Sequence, residues 1–302
     1  MDTDFYDEDQ LPEDQQPIKT SNVERVITAM TLLTHHEKRY ATIAIVTAPS
    51  GCGKSIATLV GQQTIERRYQ RVLPATIRVK LEPRSTTLAF TDTILDALGE
   101  KSKGRTIDAR AKDAAKGLRR NDLRLIILDE GDRLKEDNFE VVRYLLDRAG
   151  CPFLIVGLPH IYSVIDRQEI FAGRVSLRVD LDPLELDEVL DLVLPGLVFP
   201  RWTFDPHNEA DRLMGAEIWK MVCPSLRKLR NLLELAAITA GVHHAPAIAL
   251  PHIEEAFGWM ASSEDKHRQK QRKQARTPRQ QGTPEQRSEE RHKGKGRGKG
   301  GK

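Results

Sequence analysis

Residues 42–55 of this chain, TIAIVTAPSGCGKS, decide its fold. The stretch opens with a β-branched run from Thr42 to Val46, turns at Pro-Ser-Gly, and continues into a helix-like segment, residues 54–71. β-Branched runs are typical of strands, and glycine and proline mark the turn between a strand and a helix. The backbone N–H groups of such a loop and the helix N-terminus together form a cradle for phosphate groups. We therefore predict a nucleotide-binding loop here.

The loop departs from the pattern G-x-x-x-x-G-K-[ST] only at Ala48, which stands in place of the first glycine. Lys54 is expected to reach the β and γ phosphates, and the Ser55 hydroxyl is expected to ligate Mg²⁺. Cys52 lies near the positive helix end, which predicts either an acidic, modifiable thiol or simply a small residue that fits. The strand–loop–helix context disfavours an accidental glycine-rich turn. The residues predicted to bind the nucleotide are Ala48, Pro49, Ser50, Gly51, Cys52, Gly53, Lys54, Ser55 and Asp129.

A second motif, residues 125–130 (LIILDE), is an unbroken apolar run that ends in two carboxylates. Asp129 is expected to hold Mg²⁺ through water, and Glu130 is expected to polarise the water that attacks the γ-phosphate. An acidic residue next to Asp129 favours hydrolysis over transfer to a small acceptor, because a kinase must exclude such a water. Alone, the motif also fits a solvated acidic turn after a strand. The phosphate-binding loop upstream makes that alternative the weaker one.

Strands and helices alternate through the middle of the chain, which indicates a parallel sheet with helices on both faces. The apolar run at 123–128 is typical of a central strand covered on both sides. From about Asp182 only helical patterns remain, so the predicted fold class is α/β followed by a small all-helical lid. The expected organisation is an acidic disordered N-terminus over 1–20, a nucleotide-binding α/β domain over 21–181, the helical lid over 182–261 and a basic disordered tail over 262–302.

Composition excludes several classes of protein. Hydrophobic residues make up 39% of the chain and charged residues 30%, which is enough apolar material for a packed core under a charged surface. Its apolar runs are far shorter than the roughly 20 residues of a membrane span, and the acidic start lacks the features of a signal peptide. The three cysteines are widely spaced without a C-x-x-C pair, which disfavours a disulfide framework and a zinc ribbon. We therefore expect no membrane partner and a reducing cytoplasm.

The net charge of +3 averages three unlike segments. Residues 1–16 carry seven acids and no base, whereas residues 262–302 carry fourteen Lys or Arg against five acids. The tail has no aromatic residue, Leu, Ile or Val, so it cannot bury enough apolar area to order itself. It suits a polyphosphate backbone, although a merely solubilising or sticky tail would have the same composition.

Arginines are needed if the nucleotide lies between subunits, because the transition state of hydrolysis spreads charge that a guanidinium can neutralise. Arg174, between the fourth and fifth strands, is the best candidate for a residue acting on a neighbouring subunit, and Arg178 is the second choice. Arg227 opens a helix of the lid and is expected to reach the γ-phosphate of its own subunit. Each of the three could also be an ordinary surface arginine.

Together, the phosphate-binding loop, the Asp-Glu strand, the interposed arginine and the helical lid resemble an AAA+ ATPase. Three stretches narrow the resemblance to the DNA-transposition regulators of the phage Mu B, TnsC and TniB type. They are residues 128–134 (LDEGDRL), residues 156–163 (VGLPHIYS) and the lid helices over 224–257. The resemblance covers about residues 20–260.

This resemblance implies an ATP- and Mg²⁺-dependent ATPase that binds duplex DNA without sequence preference. It implies homo-oligomers, as helical filaments or rings, that deliver target DNA to a transposase, which in turn stimulates hydrolysis. The Mu B protein carries an N-terminal helix-turn-helix domain, which we do not expect here because residues 1–16 are acidic. Gly157-Leu158 stands where AAA+ proteins usually place a polar sensor residue, so we expect slow hydrolysis.

Family resemblance also implies that DNA is contacted by loops after the second strand and before the third. The candidates in these two loops are Lys80, Arg84, Lys101, Lys103 and Arg105. Contacts to the phosphate backbone predict binding without sequence preference and with steep salt dependence. An ordinary solvated basic loop is the alternative.

Three other functions share parts of this pattern. A helicase-loader-type AAA+ protein has the same nucleotide motifs but would need a helicase-binding N-terminal segment, for which residues 1–20 are short and acidic. A DNA-coating scaffold would use the ATP site only to control assembly, with incidental turnover. A small-molecule kinase is the weakest alternative, because Glu130 and the helical lid both argue against it.

Overall fold

A computed structural model of the protein describes residues 17–35, 42–83 and 85–260. The acidic segment up to residue 16, the basic tail from 262 and the candidate DNA contact Arg84 lie outside the described residues. None of the helices within the described ranges is long and apolar enough to cross a membrane.

Five parallel strands form one sheet in the spatial order β2-β3-β4-β1-β5. Their bounds are β1 Ile43–Thr47, β2 Thr76–Lys80, β3 Leu125–Asp129, β4 Phe153–Gly157 and β5 Val175–Asp180. Every residue of β1, β3 and β4 is buried, as expected for apolar runs in the middle of a sheet that is covered on both faces. The connection that leaves β1 runs toward β2, whereas the connection that leaves the neighbouring β4 runs the other way, to β5. Ligands of open α/β sheets bind at such a switch point.

Helices cover both faces of the sheet. The α/β part contains α1 Ser21–His35, α2 Lys54–Tyr69, α3 Thr87–Ala97, α4 Ile107–Arg120, α5 Glu136–Ala149, α6 Ile161–Ile165 and α7 Glu169–Ala172. Helices α1 and α2 pack on the face that carries Ala44 and Val46, whereas α3, α4 and α5 pack on the face that carries Ile43 and Ile45. Alternate residues of one strand thus serve two separate cores, because strand side chains point to opposite faces in turn.

Between β5 and residue 260, the last described residue, the regular elements are all helices, as predicted. They are α8 Leu186–Glu188, a π-helical segment Val189–Val193, α9 Leu194–Gly196, α10 Glu209–Val222, α11 Leu226–Val242 and α12 Leu250–Met260. The predicted α/β fold with helices on both faces and a helical C-terminal part is therefore confirmed. The α/β part and the helices up to Ala256 belong to one compact unit. The domain boundary near residue 182 stays a prediction.

Candidate functional site

The loop between β1 and α2 has the backbone that phosphate binding requires. Gly51 and Gly53 have φ values of +83° and +84°, in the left-handed region that glycine adopts at little cost. Gly53 is also the N-cap of α2, and no side chain caps the helix there. The first N–H groups of α2 therefore have no intrahelical partner and no capping side chain, and they carry the positive end of the helix dipole.

Lys54 lies over this loop. Its Nζ atom donates hydrogen bonds to the carbonyls of Ala48 at 2.7 Å and Pro49 at 3.0 Å. An ammonium group has three N–H donors, so a third remains for a phosphate oxygen. Burial lowers the pKa of Lys54, against the opposing effect of nearby Cys52 and three carboxylates. A bound polyphosphate would add negative charge beside this partly buried ammonium group and favour its charged form.

Cys52 is a small buried residue of the loop, which favours the second of its two predicted roles. Its Sγ atom donates to the carbonyl of Pro224 at 3.4 Å, and its exposed fraction is 3%. Burial raises the pKa of its thiol more than Lys54 lowers it. The alternative of an acidic thiol is therefore wrong, because desolvation penalises the thiolate more than the nearby positive charge stabilises it.

The start of lid helix α11 touches the loop directly. The carbonyl of Gly51 accepts hydrogen bonds from the backbone N–H groups of Leu226 at 2.9 Å and Arg227 at 3.3 Å. Ser225 is the N-cap of α11, and its hydroxyl accepts from the N–H of Lys228 at 3.1 Å. The backbone of Arg227 is thus brought to the phosphate-binding loop, and the role of its guanidinium on the γ-phosphate stays a prediction.

The second motif ends beside the loop. Asp129 is the last residue of β3 and is buried, with 6% of its side chain exposed. One of its oxygens accepts from the backbone N–H of Glu130 at 2.8 Å, and the other accepts from Arg78. The negative charges of Asp129, Glu130 and Asp132 all act on Lys54. The structure therefore brings both predicted motifs together at the carboxyl ends of β1 and β3.

Glu130 adopts an uncommon backbone conformation, with φ +56° and ψ +37°. Such conformations are uncommon for residues other than glycine, and strained ones cluster at active sites. The carboxylate of Glu130 is 39% exposed and lies 3.6 Å from the guanidinium of Arg133. Because it is buried less than Asp129, it is open to water and suited to the predicted role of a base.

Two residues of this site, Arg78 and Asp132, were assigned no role from the sequence alone. Arg78 in β2 pairs with Asp129, and only 12% of its side chain is exposed. A buried charge without a partner is costly, so an arginine in the short strand TIRVK already indicates a carboxylate on a neighbouring strand. Asp132 follows Glu130 in a short turn, Gly131–Arg133, and its Oδ1 atom accepts from the N–H of Leu158 at 3.1 Å. Its position depends on how β4 ends, which the sequence does not reveal.

A third set of polar groups lies at the carboxyl end of β5, next to β1. The Asp180 carboxylate accepts hydrogen bonds from the hydroxyl of Thr47 and from the phenol of Tyr162, the latter at 2.8 Å. Thr47 immediately precedes the phosphate-binding loop. Burial and Asp180 raise the pKa of Tyr162 to about 12. This network joins the start of the loop to β5 and to the segment after β4.

Of the two remaining arginine candidates, Arg174 lies away from this loop. Arg174 precedes β5, and its carbonyl accepts from the N–H of Ile43, which is the first residue of β1. The phosphate-binding loop follows the other end of β1, five residues or roughly 16 Å away. Arg174 therefore does not join the other site residues within one subunit, and its role on a neighbouring subunit stays a prediction. Its guanidinium is bound by Asp147 through two hydrogen bonds of 3.0 Å.

Arg178, the second choice, lies in β5. It donates to Asp166 at 2.6 Å, and its guanidinium carbon lies 5.0 Å from the centre of the Tyr162 ring. The hydrogen bond to Asp166 raises the pKa of Arg178. These contacts tie Arg178 to Asp166 and Tyr162, and its role as the second choice after Arg174 stays a prediction.

The candidate DNA loop is held in shape by its alternate residues. Ser102 donates to Asp113 at 2.8 Å, and the carbonyl of Gly104 accepts from Arg110 at 2.9 Å. A Cβ atom at Gly104 would lie 2.5 Å from the Cβ of Ala109, so only glycine fits. The cations between these anchors, Lys101, Lys103 and Arg105, are exposed. Lys80 is also exposed, at the end of β2 opposite Asp129.

A family model for the AAA domain matches residues 36–165, which contain both motifs. The chain has the AAA+ fold. No curated protein matches it significantly in sequence.

Solved structures with this AAA+ fold cover most of the chain. The ORC2 protein of Aeropyrum pernix, in its ADPNP–ADP complexes, has a TM-score of 0.65 at 13% identity, over 84% of this chain and 70% of its own. Cdc6p from Pyrobaculum aerophilum has a TM-score of 0.63 at 16% identity, over 81% and 69%. The ORC1 protein of Aeropyrum pernix in complex with DNA has a TM-score of 0.60 at 17% identity, over 83% and 66%. Identities this low show the fold alone.

Proposed function

We propose that this protein is an ATPase that hydrolyses ATP to ADP and phosphate and binds duplex DNA, without sequence preference, in its ATP-bound state. The observation that carries the proposal is the meeting of Lys54, Asp129, Glu130 and the start of α11 around one glycine-rich loop. These groups would hold a polyphosphate, polarise a water and connect the nucleotide to the lid.

ATP would lie with its phosphates against the loop 48–55. Mg²⁺, when bound, would be held by Ser55 and Asp129 and would neutralise part of the phosphate charge. Ser55 and Asp129 offer it the hard oxygen ligands that it prefers. Within the ranges that the structure describes, no cluster of three or more His, Cys, Asp or Glu could hold a metal by itself. The nucleotide and water would therefore have to complete the coordination, as is usual for Mg²⁺.

In the proposed reaction, the oxygen of a water forms a bond to the γ-phosphorus while the bond to the bridging oxygen of ADP breaks. Glu130 takes the proton of this water. Arg227 stabilises the charge on the γ-phosphate within the subunit, and Arg174 does so from a neighbouring subunit. This last role requires a homo-oligomer, as a ring or a helical filament.

DNA binding is proposed for the exposed cations Lys80, Lys101, Lys103 and Arg105. The support is the ordered shape of the loop 101–105 and the AAA+ likeness to an ORC1 protein solved in complex with DNA. We further propose that the bound DNA is target DNA for a transposase, which rests on the resemblance of residues 128–134 and 156–163 to transposition regulators. The proposed compartment is a reducing cytoplasm, given the spacing of the three cysteines.

The test compares the full-length protein with the variants Lys54→Ala and Glu130→Gln in ATP binding, single-turnover hydrolysis and duplex-DNA binding. We expect Lys54→Ala to lose nucleotide binding, and Glu130→Gln to bind ATP, fail to hydrolyse it and remain on DNA. DNA affinity in ATP is compared with that in ADP for the same chain, because attraction of the basic tail to DNA does not depend on the nucleotide. Equal affinity in ATP, ADP and no nucleotide would contradict the proposal.

A second comparison tests whether the loop 101–105 contacts DNA. The triple alanine variant at Lys101, Lys103 and Arg105 should lose ATP-dependent DNA binding and flatten its salt dependence, by up to about three units in the log–log slope. Its matched control removes three exposed cations elsewhere: Arg67, Arg68 and Lys112. Equal losses in both variants would point to a general charge effect and would refute the role of the loop.

One alternative is favoured by a specific observation. The contacts of Gly51 with Leu226 and Arg227 connect the nucleotide loop to the lid without any need for turnover, as a DNA-coating scaffold requires. If the Glu130→Gln variant supports repeated delivery of DNA as well as the wild type does, the scaffold function is correct. If it delivers once and stays bound, the recycling ATPase is correct.

A further inference from the structure

The carboxyl end of β4 faces the phosphate-binding loop without a polar side chain of its own. The strand ends in Gly157, whose carbonyl accepts a long hydrogen bond, 3.4 Å, from the N–H of Ala48. A Cβ atom at Gly157 would lie 2.9 Å from the backbone nitrogen of Asp132 and 3.0 Å from its Oδ1 atom. Any side chain at position 157 would therefore collide with Asp132. The place next to the end of β4 is occupied by a carboxylate from the turn after β3.

Asp132 is fixed in this place by the shape of its turn. A Cβ atom at the preceding Gly131 would lie 2.4 Å from the Cγ2 atom of Ile155, so the turn can cross β4 only with glycine there. The Oδ1 atom of Asp132 then accepts from the N–H of Leu158, the first residue beyond the strand. Two glycines and one hydrogen bond thus hold one of its oxygens against the end of β4.

The other oxygen of Asp132, Oδ2, has no hydrogen bond among the described residues. Asp132 is half-buried, and its charge reaches Lys54 together with those of Asp129 and Glu130. Asp129 is already held by Arg78 and by the N–H of Glu130. Two carboxylates of this acidic cluster therefore remain as acceptors for a water near the γ-phosphate, one from Glu130 and one from Asp132.

We propose that Asp132 positions the attacking water, and so supplies the polar group that β4 lacks. This inference rests on the proposed ATP hydrolysis. The water donates one hydrogen to Glu130, which takes that proton as the new bond to phosphorus forms and the bond to ADP breaks. It donates its second hydrogen to Oδ2 of Asp132, which orients the oxygen lone pair toward the γ-phosphorus. Asp132 is neither protonated nor consumed.

The decisive variant is Asp132→Asn in the full-length protein. An asparagine keeps an oxygen for the N–H of Leu158 but replaces Oδ2 by an NH₂ group, which donates and cannot accept. The structural contact therefore survives while the proposed contact with water is lost. Asp137→Asn is the matched control, because Asp137 is an exposed residue in the first turn of α5.

Three quantities separate the roles of Asp132: the single-turnover rate of hydrolysis, the Kd for ATP and the midpoint of thermal unfolding. For Asp132→Asn we expect a rate at least about tenfold lower, in the lower part of the range for positioned proton acceptors. We expect the Kd to stay within about twofold and the midpoint to stay near that of the wild type. Asp132→Ala should show the same loss of rate and, since the contact with Leu158 is also lost, a lower midpoint.

Each outcome has a distinct meaning. If Asp132→Asn hydrolyses ATP as fast as the wild type and Asp137→Asn, Asp132 only holds the backbone of Leu158, and the inference is wrong. If rate and ATP affinity fall together with the unfolding midpoint, the residue is structural, and the inference is again wrong. If the wild type itself binds ATP without hydrolysing it, the proposed function fails, and the inference fails with it.

Discussion

Gly51 is the point at which the phosphate-binding loop and the lid can be separated by one substitution. Its φ is +83°, and a Cβ atom there would lie 2.2 Å from the Oγ atom of Ser225 and 3.1 Å from its Cβ. Gly53 has nearly the same φ, +84°, but a Cβ atom there would meet only Leu226, at 3.4 Å. The two glycines therefore form a matched pair that shares the backbone cost and differs in the collision.

The expected magnitudes follow from these contacts. An alanine in the left-handed region costs about 1–2 kcal/mol, and this should be the whole effect of Gly53→Ala. For Gly51→Ala the collision with Ser225 adds about 1–3 kcal/mol, the usual cost of overpacking, so that the free energy of unfolding falls by about 2–5 kcal/mol. Ser225→Gly alone should cost only a few tenths of a kcal/mol, because glycine is an acceptable N-cap.

The assay is urea unfolding without nucleotide, followed by tryptophan fluorescence, which reports on the buried residues Trp202 and Trp219 of the helical part. The double variant Gly51→Ala/Ser225→Gly should recover about 1–3 kcal/mol relative to the sum of the single changes. If Gly51→Ala and Gly53→Ala lose equal stability, and the double variant recovers nothing, the loop and the lid are not in contact as described.

Two further predictions concern polar groups that are largely or partly buried. Arg78→Met should lower the free energy of unfolding by about 3 kcal/mol, because it leaves Asp129 buried without its guanidinium, and Arg78→Met/Asp129→Asn should be more stable than the single variant. A smaller loss in the single variant than in the double variant would contradict the ion pair. The raised pKa of Tyr162, about 12, means that the native state keeps its phenol proton where the unfolded chain has lost it, so stability should fall as pH rises from about 10 to about 12. Tyr162→Phe should reduce that fall in the free energy of unfolding by about 1 kcal/mol, a small value because Tyr162 is partly exposed. Urea titrations of both proteins at pH 9 and 11.5 measure this difference. If the pH dependence of Tyr162→Phe equals that of the wild type, the role of Tyr162 is refuted.

Most of the secondary structure was predictable from local patterns. The run Leu125–Leu128 and the acidic pair after it predicted a buried strand that ends at the site, and the structure confirms β3 at Leu125–Asp129. The lid helix was predicted to open near Arg227, and α11 begins at Leu226. These predictions succeed because apolar periodicity and turn residues act within a few neighbours along the chain.

The contacts that complete the site were not predictable in this way. Arg78 and Asp132 were given no role, because the first pairs across two strands and the second fills the space beside a glycine on a third. From the sequence alone, the missing polar residue at Gly157-Leu158 predicts slow hydrolysis, which stays a prediction. In the folded protein, the lack of a side chain at Gly157 is what lets Asp132 approach.

The sequence by itself determined which chemical groups are available to this site. They are a glycine-rich loop with a lysine, an acidic pair at a strand end, and arginines near the fifth strand and at the start of a lid helix. Such features are local, since a left-handed φ or a helix N-terminus depends on a few adjacent residues. Only the tertiary structure decided which groups share the site. It joined Gly51 to the start of α11 and paired Arg78 with Asp129. It also placed Arg174 at the amino end of β1, opposite to the end that carries the phosphate-binding loop. These contacts depend on the strand order, which brings together residues far apart in the chain. Hydrogen bonds and charge pairs weaken steeply when the distance between their atoms grows by a few ångströms.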